Sequence, residues 1–264
     1  MQPIITLLTD FGPKDTYVGQ MKGAIASICP QVNVIDITHE VPQQDIAYGG
    51  YLLSDALDAF PKGTIHVVVV DPGVGSERKA IAVEFDEGYL IGPDNGIFTE
   101  TLKRFHVSSI IELNNPEYWF GESRTFHGRD IFAPAAAHLA CGAMLRDMGT
   151  SQNDLIRLNL PDPIVHDKIL TGHVVMIDRF GNMLSNIRRD QFDDWLEGYE
   201  GQLIIRGEET RITGLSITFA DVSEGQPVAY FGSSARLEVA VRNKHAAQEL
   251  GGEIGDVVIV EKNS

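Results

Sequence analysis

The chain has little positive charge for its size. Its 264 residues include 21 lysines and arginines against 37 aspartates and glutamates, which gives a formal net charge of -16 at pH 7. A surface that binds nucleic acid needs clustered lysine and arginine, so this composition argues against a nucleic-acid partner. The acidity is weakly favourable to a cationic small-molecule ligand, although solubility alone is the simpler interpretation.

Cysteines and the common catalytic motifs are scarce as well. The two cysteines, Cys29 and Cys141, have no CxxC or histidine spacing around them, so we predict buried free thiols and no metal site. The sequence also contains no HExxH, no GxSxG and no GxxxxGK[ST]. These absences argue against zinc peptidases, serine hydrolases with a nucleophile elbow, and P-loop nucleotide hydrolases.

Long hydrophobic runs are missing too. No apolar stretch approaches the roughly 20 residues that cross a bilayer. Residues 1–10 lack the basic start and the apolar stretch of a signal peptide. We therefore expect a cytoplasmic protein without a membrane partner.

The most informative stretch that is present is TIHVVVVDPGVGSERK, residues 64–79. Its residues 65–70 form an almost unbroken β-branched run. A strand that is apolar on every residue is covered on both faces, so we predict a central strand here. Asp71-Pro72-Gly73 follows at its carboxyl end, which is where ligands bind in open α/β sheets.

The pattern along the chain predicts two domains. Residues 1–162 alternate strands with helices, which indicates a three-layer α/β domain with a largely parallel sheet. Its helices are expected to include one after Gly96, with Phe98 and Leu102 facing inward, and another over residues 131–141. Two prolines at 161–163 mark a linker. The remainder, residues 163–264, has short β-rich runs split by glycines and predicts a mainly antiparallel, barrel-like domain.

Acids and bases in the first domain suggest a catalytic site. Asp10 and Asp71 are both expected at strand ends on one sheet edge. Arg78 and His127 supply a cation and a general acid–base candidate nearby. Each acid alone could equally be a turn or helix cap, and a histidine in a glycine loop is more often structural. The set as a whole favours catalysis.

The second domain has a similar pattern at residues 177–182, where an apolar strand is followed by an acid and a glycine turn. A plain hairpin is one interpretation of this stretch. The other is a purine pocket, in which Phe180 stacks on the base and Asn182 forms hydrogen bonds with its edge. The turn at 232–234 is either a further ligand loop or an ordinary turn.

Several motifs occur in order along nearly the whole chain. They are Thr9-Asp10-Phe11-Gly12 with Asp15 and Tyr17-Val18-Gly19, Asp71-Pro72-Gly73-Val74-Gly75 with Arg78, Gly92-Pro93-Asp94-Asn95-Gly96, Phe126-His127-Gly128-Arg129-Asp130 and Asp178-Arg179-Phe180-Gly181-Asn182. Together these motifs resemble those of the S-adenosylmethionine hydroxide adenosyltransferases, a family of adenosine-forming S-adenosylmethionine hydrolases that is related to fluorinating and chlorinating enzymes. The resemblance implies an α/β N-terminal domain, a β-barrel C-terminal domain and a homotrimer, with substrate between the N-terminal domain of one subunit and the C-terminal domain of the next.

The resemblance also implies roles for individual residues. The family's catalytic Asp, Arg and His correspond to Asp71, Arg78 and His127. Halogenating relatives do not keep the Asp and the His, so their presence here favours water over halide as the nucleophile. Two departures concern the second domain: the loop before Phe180 is one residue shorter than in the fluorinating enzyme, and Leu184 replaces a tryptophan. The implied substrate-binding residues are Asp10 at the ribose hydroxyls and, for the adenine or methionine portions, Asp178, Phe180, Asn182, Ser234 and Glu238.

The resulting hypothesis is hydrolysis of S-adenosylmethionine to adenosine and L-methionine, without a cofactor or metal. The sulfonium is a good leaving group, so attack of water on C5′ needs positioning and a stronger nucleophile. Asp71 and His127 are candidates to accept or relay the proton of water, and Arg78 to fix the carboxylate or stabilise hydroxide. Two alternatives are a halogenase that forms 5′-halo-5′-deoxyadenosine and a non-catalytic sensor that binds adenosine or S-adenosylmethionine.

Overall fold

The computed structural model describes residues 2–121, 125–207 and 210–263. The chain divides into two compact units, Met1–Leu160 and Pro161–Ser264. The first unit mixes helices with a sheet, and the second is dominated by antiparallel strands. The α/β class with a barrel-like second domain is therefore confirmed.

The N-terminal unit alternates strands and helices over its first 70 residues. Short 3-10 turns and one π-helical turn, Gly128–Phe132, connect the later elements. The named elements are β1 (Ile4–Thr9), α1 (Tyr17–Ile28), β2 (Asn33–Thr38), α2 (Ile46–Ala56), β3 (Thr64–Val69), β4 (Ala80–Phe85), β5 (Gly88–Pro93), β6 (Val107–Glu112), α3 (Ala133–Ala140) and β7 (Thr150–Ser151).

The sheet of this unit has the strand order β2-β1-β3-β5-β4-β6-β7 among the described residues. Its β2, β1, β3 and β5 run parallel, and β4, β6 and β7 add antiparallel pairings. Every residue of β3 is buried, as expected for a strand covered on both faces. The predicted central strand thus lies between two parallel neighbours, with its carboxyl end at a sheet edge.

The helix expected after Gly96 is not formed. Phe98 and Leu102 are buried as predicted, but the segment consists of turns and one short 3-10 helix, Thr101–Lys103. Backbone N–H groups from the 156–158 stretch donate to Asp94 Oδ1 (2.8 Å) and Thr99 Oγ1 (2.9 Å). These tertiary contacts hold the segment in a compact loop.

The prediction of free thiols is wrong, because Cys29 and Cys141 form a disulfide. Cys29 follows α1 and Cys141 follows α3, and the packing of these helices brings the two Cα atoms to 5.9 Å. The residues lie 112 positions apart in the sequence, so their local spacing carried no signal of the pairing.

In its described residues, the C-terminal unit is an antiparallel sheet with two short α-helices. Its elements are β8 (Ile164–His166), β9 (Ile169–Ile177), β10 (Met183–Arg188), α4 (Arg189–Leu196), β11 (Gln202–Arg206), β12 (Arg211–Thr213), β13 (Pro227–Phe231), β14 (Arg236–Val241), α5 (Ala246–Leu250) and β15 (Val257–Asn263). The strand order is β12-β11-β15-β9-β10-β14-β13, with β8 beside β9. The sheet nearly closes, because the Ser216 N–H beyond β12 donates to the Ala229 carbonyl of β13 (2.9 Å).

The helices of both units are short. Among the residues that the structure describes, no helix is both long and apolar enough to cross a membrane. The longest of the helices described above, α1, has 12 residues.

Candidate active site

Arg78 folds back onto Asp71 through the loop that follows β3. Within the loop, the Val74 N–H donates to the Asp71 carbonyl (3.3 Å) and the Ser76 hydroxyl donates to the Gly73 carbonyl (2.6 Å). Arg78 Nε donates to Asp71 Oδ1 at 2.9 Å, and Nη2 donates to Oδ2. The side chains of Asp71 and Arg78 are only 5% and 8% exposed, so the pair is a nearly buried, bidentate salt bridge.

His127 joins this pair from the start of the π-helical turn. Its Nδ1 lies 2.7 Å from Arg78 Nη2. A guanidinium has donors only, so Nδ1 must accept, and the neutral ring carries its proton on Nε2. Burial, followed by the charge of Arg78, lowers the pKa of His127 below its ordinary value of 6.5. We call Asp71, Arg78 and His127 the trio, and its histidine is neutral at pH 7.

A cavity of about 170 Å³ opens beside the trio. It is lined by Phe11, Tyr17, Val69, Asp71, Val74, Thr125, Phe126, His127 and Gly128. Arg78 Nη1 is also buried, and it makes no hydrogen bond to any residue in the described part of the chain. A carboxylate, a neutral imidazole and a spare guanidinium donor therefore converge in one small region.

Asp10 leaves the sheet at the same edge as Asp71. Thr9 of β1 pairs with Val69 of β3, so the two acids follow adjacent parallel strands, with Asp10 one residue and Asp71 two residues beyond this pair. Asp10 Oδ2 accepts a hydrogen bond from the Gln44 backbone N–H (2.9 Å). Gln44 has φ +63°, which is uncommon for a residue other than glycine and occurs often at functional sites. Asp10 does not line the cavity itself.

Two side chains that contact the residues next to Asp71 and Asp10 were not identified from the sequence. Asn95 Nδ2 donates to the Val70 carbonyl (2.9 Å), directly before Asp71. His39 Nδ1 lies 2.9 Å from Thr9 Oγ1, directly before Asp10. The glycine-flanked stretch around Asn95 was a visible motif, but nothing in the sequence indicated what its amide would bind.

In the C-terminal unit, the turn between β9 and β10 uses its own polar groups. Asp178 Oδ1 accepts from the backbone N–H groups of Phe180 (2.9 Å) and Asn182 (2.8 Å). Asp178 Oδ2 accepts from Asn182 Nδ2 (2.9 Å). The carboxylate therefore holds the turn together, and the Asn182 amide nitrogen already has a partner. Phe180 is 75% exposed.

Phe180 and Asn182 line an open cavity of about 580 Å³ together with Phe219, Val241, Asn243, Lys244 and His245. The His245 ring lies directly over Gly181, where a Cβ atom would come within 2.2 Å of it. His245 was missed because it lies more than 60 residues after this turn in the sequence. A separate cavity of about 190 Å³ in this unit contains none of the residues predicted from the sequence.

Ser234 and Glu238 belong to the neighbouring β13–β14 hairpin. Glu238 Oε2 accepts a hydrogen bond from the Tyr230 hydroxyl (2.7 Å). Burial, together with that bond, raises the pKa of Tyr230. Ser234 Oγ is buried and makes no hydrogen bond within the described ranges. Neither Ser234 nor Glu238 lines the cavity that contains Phe180.

Comparison with known proteins gives matches over most of the chain. Residues 5–149 match the family described as the SAM hydroxide adenosyltransferase N-terminal domain, and residues 172–259 match the corresponding C-terminal domain. An (R)-S-adenosyl-L-methionine hydrolase from Salinispora tropica is 37% identical, over 96% of each chain. A fluorinase from Nocardia brasiliensis is 31% identical, over 90% of each chain. The crystal structure of an uncharacterized conserved protein from Thermotoga maritima superposes with a TM-score of 0.91 at 36% identity, covering 97% of this chain and 99% of that one.

Proposed function

Because this chain belongs to the SAM hydroxide adenosyltransferase family, we propose that it is an enzyme that hydrolyses S-adenosyl-L-methionine to adenosine and L-methionine. The observation that carries the proposal is the mutual contact of Asp71, Arg78 and His127, of which Asp71 and His127 line one cavity. The similar hydrolase is named for the R form of the substrate, so we extend the proposal to the R epimer at the sulfonium.

In the proposed mechanism, water attacks C5′ in line with the sulfonium. The new O–C5′ bond forms as the C5′–S bond breaks. The electron pair of the C5′–S bond goes to sulfur, which leaves as the neutral thioether of methionine. One proton of the water must be removed. No step requires a cofactor, because the positive charge on sulfur already makes it a good leaving group.

The tautomer of His127 determines the role that we assign to each member of the trio. Since its Nδ1 accepts from Arg78, its Nε2–H is a donor and can orient the attacking oxygen. Asp71 is then the proton acceptor, because each of its oxygens retains a lone pair after binding Arg78. Arg78 holds the carboxylate in place, and its unpaired Nη1 donor can stabilise developing hydroxide character.

The remaining predicted residues are proposed to bind substrate. Asp10 accepts from the ribose hydroxyls, and its backbone partner Gln44 supports its orientation. Phe180 stacks on the adenine ring, for which its exposure leaves room. Asn182 meets the base edge through the part of its amide that is not bound to Asp178. Ser234 and Glu238 are assigned to the methionine portion.

We further propose a homotrimer in which the N-terminal unit of one subunit and the C-terminal unit of the next contribute to each active site. This rests on the resemblance of the chain to its family. Light scattering should give three times the chain mass. Mixing Asp71→Ala with Phe180→Asp subunits should restore activity that neither variant has alone. A monomer, or no restoration in mixed oligomers, contradicts the proposal.

The decisive experiment is product analysis with purified protein and each sulfonium epimer in turn. We expect adenosine and methionine in equal amounts, faster from the R epimer, and ¹⁸O from labelled water in the 5′-hydroxyl of adenosine. Added chloride or fluoride tests the halogenase alternative, which predicts 5′-halo-5′-deoxyadenosine. Tight adenosine binding without substrate consumption would identify a sensor and refute the proposal.

A further inference from the structure

Three aromatic rings meet at the cavity beside the trio. Phe11 follows β1, Tyr17 begins α1 and Phe126 precedes His127. Their ring centroids are 5.8 Å apart for Phe11–Tyr17, 5.8 Å for Phe11–Phe126 and 5.3 Å for Tyr17–Phe126. We call these three residues the aromatic cluster. Three separate segments thus bring their rings to one place.

Gly128 packs closely against this cluster, and a Cβ atom at this position would be in tight contact with it. A Cβ atom there would lie 3.1 Å from Phe126 Cε2 and 3.4 Å from Phe11 Cε2. Two of the rings therefore rest against the backbone that carries His127. Their position relative to the trio is fixed by packing.

Tyr17 is the most exposed member of the cluster. The residue is 47% exposed although it lines the same cavity as Asp71 and His127. A ring left open at the wall of a catalytic cavity is available to a ligand. One side of Phe126 already has a cation, because Arg129 Cζ lies 5.2 Å from its centroid.

The trio offers little net charge to a cationic substrate. The Asp71 carboxylate is the obvious counter-ion for a sulfonium, but it is bound at both oxygens by Arg78. The third member, His127, accepts a hydrogen bond from Arg78 and is neutral in that arrangement. The faces of aromatic rings carry negative potential and attract cations without a formal charge. Among the residues that the structure describes, no carboxylate other than Asp71 lines the cavity.

We propose that the aromatic cluster recognises the sulfonium of the substrate, and that Tyr17 determines the preference for the charged sulfonium over a neutral thioether. This inference rests on the proposed function. It adds a division of labour to that function, in which the trio acts on water and the aromatic cluster acts on the leaving group. The Tyr17 ring contributes through its face, so its hydroxyl is dispensable.

The test compares a cationic and a neutral ligand of otherwise similar shape. For each protein, kcat/KM for S-adenosyl-L-methionine and the inhibition constant of S-adenosyl-L-homocysteine are measured. Tyr17→Leu keeps an apolar side chain but loses the ring. It should lower kcat/KM for the sulfonium about tenfold, while the affinity for the thioether changes less than about twofold. Tyr17→Phe keeps the ring and should behave like the wild type.

Phe120→Leu is the matched control, since Phe120 is 52% exposed in the same unit and does not line the cavity. It should leave both quantities unchanged. An equal loss for sulfonium and thioether in Tyr17→Leu, or the same loss in Tyr17→Phe, overturns the inference. If the wild type forms no adenosine, the proposed function fails, and calorimetric Kd values for the same two ligands then decide the inference in place of the kinetics.

Discussion

The two units of the chain use their polar side chains in opposite ways. In the N-terminal unit, the trio joins side chains from two segments 49 residues apart, and the groups hold one another. In the C-terminal unit, Asp178 binds groups within four residues of itself. The first arrangement is the one expected of the reacting groups in the proposed mechanism. The second is a local turn that presents an exposed ring, Phe180, to solvent.

The difference suggests how the proposed reaction is divided between the units. Reacting groups need fixed geometry, and the trio obtains it from burial and from a bidentate ion pair. A surface that captures an adenine ring needs an accessible face more than fixed charges. We therefore expect substitutions in the trio to act on kcat and substitutions of Phe180 to act on KM.

The largest effect is expected for Asp71→Ala. Loss of the proton acceptor should lower kcat on the order of 10²- to 10⁴-fold with little change in KM. Steady-state kinetics of adenosine formation provides the measurement. Asp58→Ala is the control, because Asp58 pairs with Arg104 away from the cavity. Unchanged turnover in Asp71→Ala would remove this residue from the mechanism.

A smaller effect is expected for Phe180→Ala in the other unit. Removing one base–aromatic stack should raise KM about tenfold and leave kcat within about twofold. Ile217→Ala is the control, since Ile217 is 91% exposed and does not line the Phe180 cavity. If Phe180→Ala lowers kcat instead, the proposed division between the two units is wrong.

The pH profile should show the same asymmetry. Protonation of His127 turns its Nδ1 from an acceptor into a donor facing Arg78, so activity should fall on the acid side. Because the pKa is lowered, kcat/KM should halve at a pH below 6.5 and stay level from there to neutrality. Phe180→Ala should keep this acid limb and His127→Gln should lose it. A limb centred above pH 6.5 would contradict the assignment.

The smallest effects concern the glycines of the two turns. Gly12 has φ +69° and open space around its Cβ position, whereas Gly181 has φ +86° and the His245 ring 2.2 Å away. Gly12→Ala should therefore lower the free energy of unfolding by about 1 kcal/mol from backbone strain alone. Gly181→Ala should lower the free energy of unfolding by more, because its Cβ atom would also collide with the His245 ring. Denaturant unfolding measures both, and an equal loss would show that the His245 ring moves aside freely.

Sequence reasoning succeeded where the pattern was local. The β-branched run of β3 and the turn at Asp71 follow from periodicity and turn chemistry, and both lie where they were predicted. The loop at 94–102 and the cysteine pair depend on contacts with distant segments. Their local sequence patterns therefore led to wrong predictions, a helix in the first case and free thiols in the second. Asn95 and His39 were missed for a related reason, because a single amide or imidazole gives no sign of which carbonyl or hydroxyl it will bind.

The disulfide between Cys29 and Cys141 makes most of the N-terminal unit a covalent ring. The two cysteines are 112 positions apart in the sequence, and all three members of the trio belong to the segment between them. In chain-entropy terms, a closed loop of this length removes unfolded conformations worth about 4–5 kcal/mol. Reducing agents should therefore lower the resistance of the protein to heat without altering any group that lines the cavity.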